Sequence, residues 1–316
     1  MKSNFKILTI QLLILVTIIT GIVACTGKKK PLDERPTRGV IRISVDESYK
    51  LLIDAEIYTF TTFYQYAKIT PDYKPEWDVI SDFMNDSVQV IVTNNKLTED
   101  QTEYLREQNF IVKTVTFAYD ALAIIINKEN NDSLLTYNNI QDIFTGKKTS
   151  WKEITAESKL DKISVIFDNS KSGNVRYFKE KFEITGNLPD NFYAVNNNEE
   201  VIDHISRNIN GMGIISASWI SDTNDSLSMS FINKIRVAAI SQPFMDESTY
   251  YHPYQASIYN KSYPFTREVY LISRETFAGL GSGFIAWMTN EKGQKIVLRS
   301  GLVPATMPIR IQQFAK

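Results

Sequence analysis

One cysteine serves the whole 316-residue chain, and its position, Cys25 at the foot of an apolar leader, limits how everything after it can fold. The leader starts with a short cationic stretch containing Lys2 and Lys6, runs through the apolar block Ile7 to Val23 and stops at Ile22-Val23-Ala24-Cys25. An apolar run of this length after a positive start is either a secretory h-region or a short membrane span. The small Ala24 directly before the cysteine fits processing by signal peptidase II, which leaves lipid (palmitate among the acyl groups) on Cys25. A retained membrane anchor with an incidental cysteine is the alternative, and either way the folded part lies outside the cytoplasm. Residues 1–24 therefore read as a lipoprotein signal peptide and residues 25–38, rich in Lys, Pro and Arg, as a lipidated tether. Thr26 to Lys30 hold no acidic residue, which points to a protein anchored on a bacterial membrane and facing the periplasm.

With Cys25 taken by the anchor, the folded part has no thiol. Disulfides, thiolate metal sites and cysteine nucleophiles are excluded, and the core alone must hold the fold. At 43% hydrophobic content the chain has the apolar residues of an ordinary globular protein, and about 290 residues suffice for one large domain or two lobes. Loss of Lys2 and Lys6 with the signal leaves 33 basic against 36 acidic residues, a net charge of about −3. Nothing in that balance recruits nucleic acid.

From Gly39 onward, short β-branched runs alternate with amphipathic stretches, the pattern of a parallel-sheet α/β architecture. Val40 to Val45 reads as a strand, Asp46-Glu47-Ser48 as a polar turn and Tyr49 to Tyr66 as a helix. Strands are then expected at Lys68 to Tyr73, Val88 to Val92 and Ile111 to Phe117, and helices at Asp78 to Asn85 and Thr98 to Gln108. A second α/β unit begins near Tyr119 with the isoleucine-rich strand Ala121 to Asn127, followed by a helix over Tyr137 to Phe144 and a buried-type strand over Ile163 to Phe167. The patches Asn130-Asn131 and Asn196-Asn197-Asn198 read as loops. Gly279 to Gly283 precedes an apolar run and reads as the start of a helix rather than a nucleotide loop.

The segments Tyr119-Asp120-Ala121-Leu122-Ala123-Ile124-Ile125-Ile126-Asn127, Ile140-Gln141-Asp142-Ile143-Phe144-Thr145-Gly146-Lys147 and Trp151-Lys152-Glu153-Ile154 follow one another in an order that resembles the Pst-type phosphate-binding proteins, the substrate-binding subunits of phosphate ABC importers. Ser172-Gly173-Asn174-Val175-Arg176-Tyr177-Phe178 stands at the family's S-G-T-x-x-x-F position, and Asn210-Gly211-Met212-Gly213-Ile214-Ile215 at its P-G-A-I-G-Y position. Asn290 to Val297 with Gly301-Leu302-Val303-Pro304 matches its C-terminal S-P-E-G-Q-K-I-V … G-Y-V-P. Each motif is weak alone, but together they span nearly the whole mature chain.

The resemblance implies an α/β, two-lobed periplasmic-binding-protein (Venus-flytrap) fold of type II with a ligand cleft between the lobes. Lobe 1 would comprise residues 39–118 and 262–316 and lobe 2 residues 119–261, with crossings near Phe117 to Ala121 and Tyr254 to Thr266. It further implies a binding protein rather than an enzyme, an oxyanion ligand with inorganic phosphate first, and ABC permease membrane subunits as partners, with no cofactor or metal. By motif position the ligand-binding candidates are Ser48, Tyr49, Thr93, Asn94, Ser170, Ser172, Gly173 and Asn174. Ser48 and Ser172 stand where helix N-caps belong, and exposed N–H groups with a positive dipole end form an anion site without formal charge. Capping alone would equally account for both serines.

The sequence also departs from the family. Asp168 stands where an arginine is usual four residues before the loop serine, and Asn94 replaces the aspartate that accepts the phosphate proton. Lys74-Pro75-Glu76-Trp77-Asp78 replaces a Gly/Ser-rich loop. A carboxylate about 5 Å from a phosphate dianion costs on the order of 6 kcal/mol at an effective dielectric near 20. Asp168 and Glu76 are therefore candidate specificity residues, and Lys74, Lys96, Lys171 and Arg176 are the cations available to answer them. These departures keep open a sensor, or a binder of a different polar ligand, on the same fold. A phosphohydrolase using Ser48 or Ser172 would need a general base and a metal cluster. His204 and His252 are the only histidines, without metal-ligand spacing, and no G-x-S-x-G, H-E-x-x-H or Walker loop occurs.

Overall fold

The structure, a computed structural model, describes residues 34–243 and 249–309. The predicted signal peptide, Cys25 and the tether through residue 33 lie outside the described residues. Among the described residues no helix is long and apolar enough to cross a membrane.

The chain runs through β1 (Gly39–Asp46), α1 (Lys50–Phe63), β2 (Ala67–Lys74), α2 (Glu76–Met84), β3 (Val90–Thr93), α3 (Glu99–Glu107) and β4 (Lys113–Asn127). Next come β5 (Leu134–Leu135), α4 (Tyr137–Phe144), β6 (Ser164–Phe167), α5 (Gly173–Lys181), β7 (Phe192–Ala194), α6 (Asn198–Arg207) and β8 (Gly211–Ser216). After α7 (Ser226–Ile232), β9 (Ile235–Val237), β10 (Ala239–Ser241), β11 (Tyr250–Tyr251) and α8 (Gln255–Tyr259), the chain returns through β12 (Thr266–Ser273), α9 (Leu280–Thr289), α10 (Glu291–Arg299) and β13 (Val303–Pro304). Local chemistry explains the boundaries. Thr98 and Gln101 form a capping box at α3, and Asn290 accepts the Lys292 and Gly293 amides at α10. Helix α4 falls where the pattern predicts it. Helix α6 begins at Asn198 with Asn197 as its cap, so the Asn-rich patch expected to be all loop opens a helix.

The sheet order is β2-β1-β3-β12-β4-β8-β6-β7. Strands β2, β1 and β3 pair in parallel, but β12 lies antiparallel to both β3 and β4, so the sheet is mixed rather than purely parallel. A second correction concerns β4. The sequence pattern suggests two strands broken around Tyr119-Asp120, whereas the structure has one 15-residue strand. The polar pair stays in the ladder because β12 and β13 hold the backbone on both sides and Asp120 has a buried cationic partner, Arg267.

Strand β4 organises the molecule. Its first part, through Ala121, pairs with β12, and from Leu122 onward it pairs with β8. The two largest of four hydrophobic clusters lie on either side of that switch. One joins Ile43, Val45, Phe60, Val92, Leu271, Phe284 and Trp287. The other joins Ile124, Ile140, Phe144, Trp151, Phe178 and Phe265, with the Phe144 and Phe178 rings stacked at 4.5 Å. The result is a two-lobed α/β protein in which the ends of β1, β3 and β6 and the start of α5 converge between the lobes.

Candidate ligand cleft between the lobes

On the first-lobe side, β1 ends at Asp46 and passes into a single 3-10 turn, Glu47–Tyr49. Asp46, not Ser48, caps this turn. Its Oδ1 accepts the Ser48 amide at 2.9 Å and its Oδ2 accepts the Asn94 side-chain amide at 2.7 Å. The cap falls on Asp46 because helical hydrogen bonding starts two residues earlier than the apolar periodicity of α1 suggests. Freed from capping, the Ser48 hydroxyl reaches Asn174 Oδ1 at 3.4 Å, while the Ser48 carbonyl accepts the Ser218 hydroxyl at 2.6 Å. Tyr49 is fully buried with its ring centroid 5.4 Å from the Arg267 guanidinium.

On the second-lobe side, Ser172 caps α5 as its position predicts, accepting the Asn174 amide at 2.9 Å. Gly173 opens the helix at a point of very close approach, since a Cβ there would overlap Asn94 Nδ2 and Glu76 Oε2 from the opposite lobe. Asn174 is fully buried, and its Oδ1 accepts Arg267 Nη1 at 2.7 Å. Among the described residues its Nδ2 has no hydrogen-bond partner, and neither has Asp168 Oδ1.

The structure thus brings together Ser48, Tyr49, Asn94, Ser172, Gly173 and Asn174 along one interlobe surface, with Glu76 and Asp168 buried among them. Thr93 is buried, but its hydroxyl turns back to the Asn95 amide at 3.3 Å. Ser170 is exposed at the rim, in a cavity of about 710 Å³ that also takes in Trp77 and one face of α5.

The charges are arranged differently from the sequence expectation. Of the four available cations, Lys74 pairs with Asp72 and Asp82, Lys171 with Asp78, and Lys96 lies over the Tyr270 ring. Arg176 alone reaches inward, donating to Glu76 Oε1 at 2.6 Å, Glu76 Oε2 at 2.9 Å and Asn94 Oδ1 at 2.7 Å, while its Nη1 turns outward to Glu180 Oε2 at 2.6 Å. The second cation is Arg267, whose Nε meets Asp120 Oδ2 at 2.9 Å; the Ser216 hydroxyl donates to the same oxygen at 2.9 Å. The sequence reading missed Arg267, Asp120, Asp46 and Glu47. The available signal was a charged residue next to an apolar strand: Asp120 before Ala121 to Ile126, and Arg267 before Val269 to Ile272.

Burial dominates the acid–base behaviour of the carboxyls. It raises Asp46 to about 7, with Arg267 opposing and Glu76 adding to the rise. It raises Glu47 to about 8 against the hydrogen bond from Asn198, and Asp168 to about 6 against Ser172 and Arg267. Near neutrality the cleft therefore holds protonated carboxyls able to donate, ionised ones able to accept, two guanidinium groups and the start of α5. Among the described residues no group of three or more His, Asp or Glu side chains is placed to hold a metal ion.

A two-lobed α/β fold with its polar groups converging between the lobes is the clamshell architecture. The chain belongs to the PBP superfamily, whose domain profile matches residues 33–292. The chain is 22% identical over 272 residues to the phosphate-binding protein PstS of Borreliella burgdorferi, covering 84% of this chain and 89% of that one. To the PstS of Pseudomonas aeruginosa PAO1 it is 24% identical, covering 64% of this chain and 62% of that protein. Among solved structures, a candidate phosphate ABC transporter substrate-binding protein with bound phosphate from Clostridium perfringens superposes with a TM-score of 0.72. It is 23% identical and is covered completely by 84% of this chain. An ABC-type phosphate transport receptor from Vibrio cholerae gives a TM-score of 0.63 at 19% identity, with the same two coverages. At these identities the structural likeness shows the fold.

Proposed function

We propose that the protein is an extracytoplasmic solute-binding lipoprotein, anchored through Cys25, that captures inorganic phosphate between its lobes and delivers it to the membrane subunits of an ABC importer. The observation that carries this reading is the convergence of Arg176, Arg267 and the Ser172-Gly173-Asn174 start of α5 on one buried interlobe surface. Guanidinium groups and a helix N-terminus are both complementary to an oxyanion. The relatives named as phosphate-binding proteins support the choice of ligand. Lobe 1 is taken as residues 39–118 with 262–316 and lobe 2 as 119–261, supported by the change of β4 partner after Ala121. Ser48, Asn94, Ser172, Gly173 and Asn174 would contact the ligand, with Asp168 and Glu76 tuning which ligand is held.

The carboxyls decide between tetrahedral anions. An unpartnered Asp168 oxygen accepts a hydrogen bond from an anion that carries a proton, as hydrogen phosphate does, and repels sulfate, which carries none at neutral pH. Calorimetric titration of the soluble part beginning at Gly39 should show one phosphate bound per chain and no sulfate binding at the same concentration. Absence of heat with phosphate up to millimolar concentrations would overturn the assignment. Separately, Cys25→Ser should abolish metabolic palmitate labelling and release the protein from membranes; unchanged labelling and fractionation would remove the anchor from the reading.

A further inference from the structure

We propose that Glu76 is a resident competitor for the anion seat: its carboxylate holds the place at the start of α5 that an oxyanion must take, and the ligand binds by displacing it from Arg176. This rests on the oxyanion reading above and goes on to say which anions the cleft admits.

Glu76 is the first residue of α2, behind a Pro75 cap that makes no side-chain hydrogen bond. An acidic residue in a first turn ordinarily serves its own helix. Here the carboxylate instead crosses to the other lobe and meets Arg176 with both oxygens, at 2.6 and 2.9 Å, a paired geometry that is among the stronger charge-assisted contacts. It is only 5% exposed, and its Oε2 lies close enough to overlap a Cβ placed on Gly173, against the first turn of α5. The same guanidinium donates to Asn94 Oδ1, so one arginine ties together the groups that would surround a ligand.

Neighbouring contacts fasten the arrangement. The Trp77 amide donates to the Lys171 carbonyl at 3.3 Å, and Lys171 Nζ reaches Asp78 Oδ1 at 2.8 Å. Residues 76–78 are therefore joined to lobe 2 at three successive positions, and moving Glu76 out of its seat means parting the lobes. A tethered competitor acts at an effective concentration in the millimolar range or above. A monoanion offering the same two oxygens gains nothing over Glu76. A tetrahedral dianion gains, because it meets Arg176, the α5 amides and Asn174 together. The residue thus selects for dianionic tetrahedral ligands and lowers affinity for all anions by the fraction of molecules in which Glu76 is seated.

The test uses phosphate as the probe, with calorimetry and small-angle X-ray scattering on wild type, Glu76→Gln and Glu76→Ala, each checked for folding by thermal melt. Both variants should bind phosphate about tenfold or more tightly than wild type and, without phosphate, should scatter as more open particles. Phosphate affinity that is unchanged or weaker in both variants, with scattering like wild type, would overturn the proposal while leaving the phosphate reading in place. If none of the three proteins takes up phosphate, the phosphate reading fails instead. Scattering then still decides on the seat: opening of the variants supports Glu76 as the occupant holding the lobes together, and unchanged scattering overturns it. A wild-type measurement stands independent of any variant. If Glu76 must leave first, the phosphate-induced change in tryptophan fluorescence should approach a limiting rate as phosphate rises, whereas a rate that stays linear in phosphate would count against displacement.

Discussion

Arg267 sits on β12 next to Val269, Tyr270, Leu271 and Ile272, is 6% exposed and has Asp120 and Asn174 as partners. It faces three carboxyls, Asp46, Asp120 and Asp168, with Arg176 as the other guanidinium in the cleft. Removing one member of a buried ion pair costs more than the pair is worth, because the remaining charge stays buried and unanswered. Arg267→Gln should therefore destabilise the protein by about 3 to 5 kcal/mol, read as a lowered midpoint in denaturant, and should weaken phosphate binding. A midpoint within error of wild type would show that Asp120 finds other compensation. Residues of this kind are the ones the sequence hid. Ser172, Gly173, Asn174 and Asn94 were legible because they sit in motifs at element ends. Arg267 and Asp46 were not, because a lone charge beside an apolar strand does not reveal whether it turns to solvent or meets an opposite charge from a segment more than a hundred residues away. The same limit applied to Asp168, whose position was clear and whose 4% exposure was not.

At the scale of elements, helix α5 carries the most information about the cleft. Its cap, its opening glycine and its cationic side chain Arg176 are spaced so that all three reach the interlobe surface within the first turn. Gly173→Val tests this spacing. The added side chain would overlap Glu76 and Asn94 across the cleft, while valine in place of glycine costs the helix nothing in propensity, glycine being the poorer helix former of the two. The variant should thus retain a near-normal melting transition, lose phosphate binding and scatter as a more open particle. Loss of folding itself would mean that the glycine serves the core of lobe 2 rather than the cleft. Element existence was largely legible: β1, α1, β2, α3, α4 and β6 lie where alternation and helical spacing put them. The β4 misreading has a physical cause, since Tyr119-Asp120 carries the composition of a loop and remains a strand only through pairing partners distant in sequence.

For the whole molecule, the buried carboxyls link lobe closure to pH. Asp46 at about 7, Glu47 at about 8 and Asp168 at about 6 all stand above their solvent-exposed values of 3.8, 4.5 and 3.8. The sign follows from which state gives up its proton first. With the raised value belonging to the closed cleft, these groups impose no penalty below about pH 4, and closure loses stability as pH climbs through 6, 7 and 8. At about 1.4 kcal/mol for each pH unit, ionising Asp168 in place costs on the order of 3 kcal/mol and Asp46 on the order of 4 to 5, upper figures because the protein can avoid them by opening. Separation of the lobes would return these carboxyls to water while most of each lobe's core stays packed, so the response should appear as opening before it appears as unfolding. Small-angle scattering from pH 5.5 to 8.5 should show a rising radius of gyration, and the Asp168→Asn, Glu47→Gln double variant should show a smaller rise over the same range. The melting midpoint alone would be a poorer readout, because Glu56, raised to about 9 by burial within lobe 1 beside Trp287, adds its own pH dependence without touching the cleft. A radius that stays constant across this range in wild type would mean that Arg267 and Arg176 neutralise the cleft more fully than burial charges it, and that pH does not govern closure.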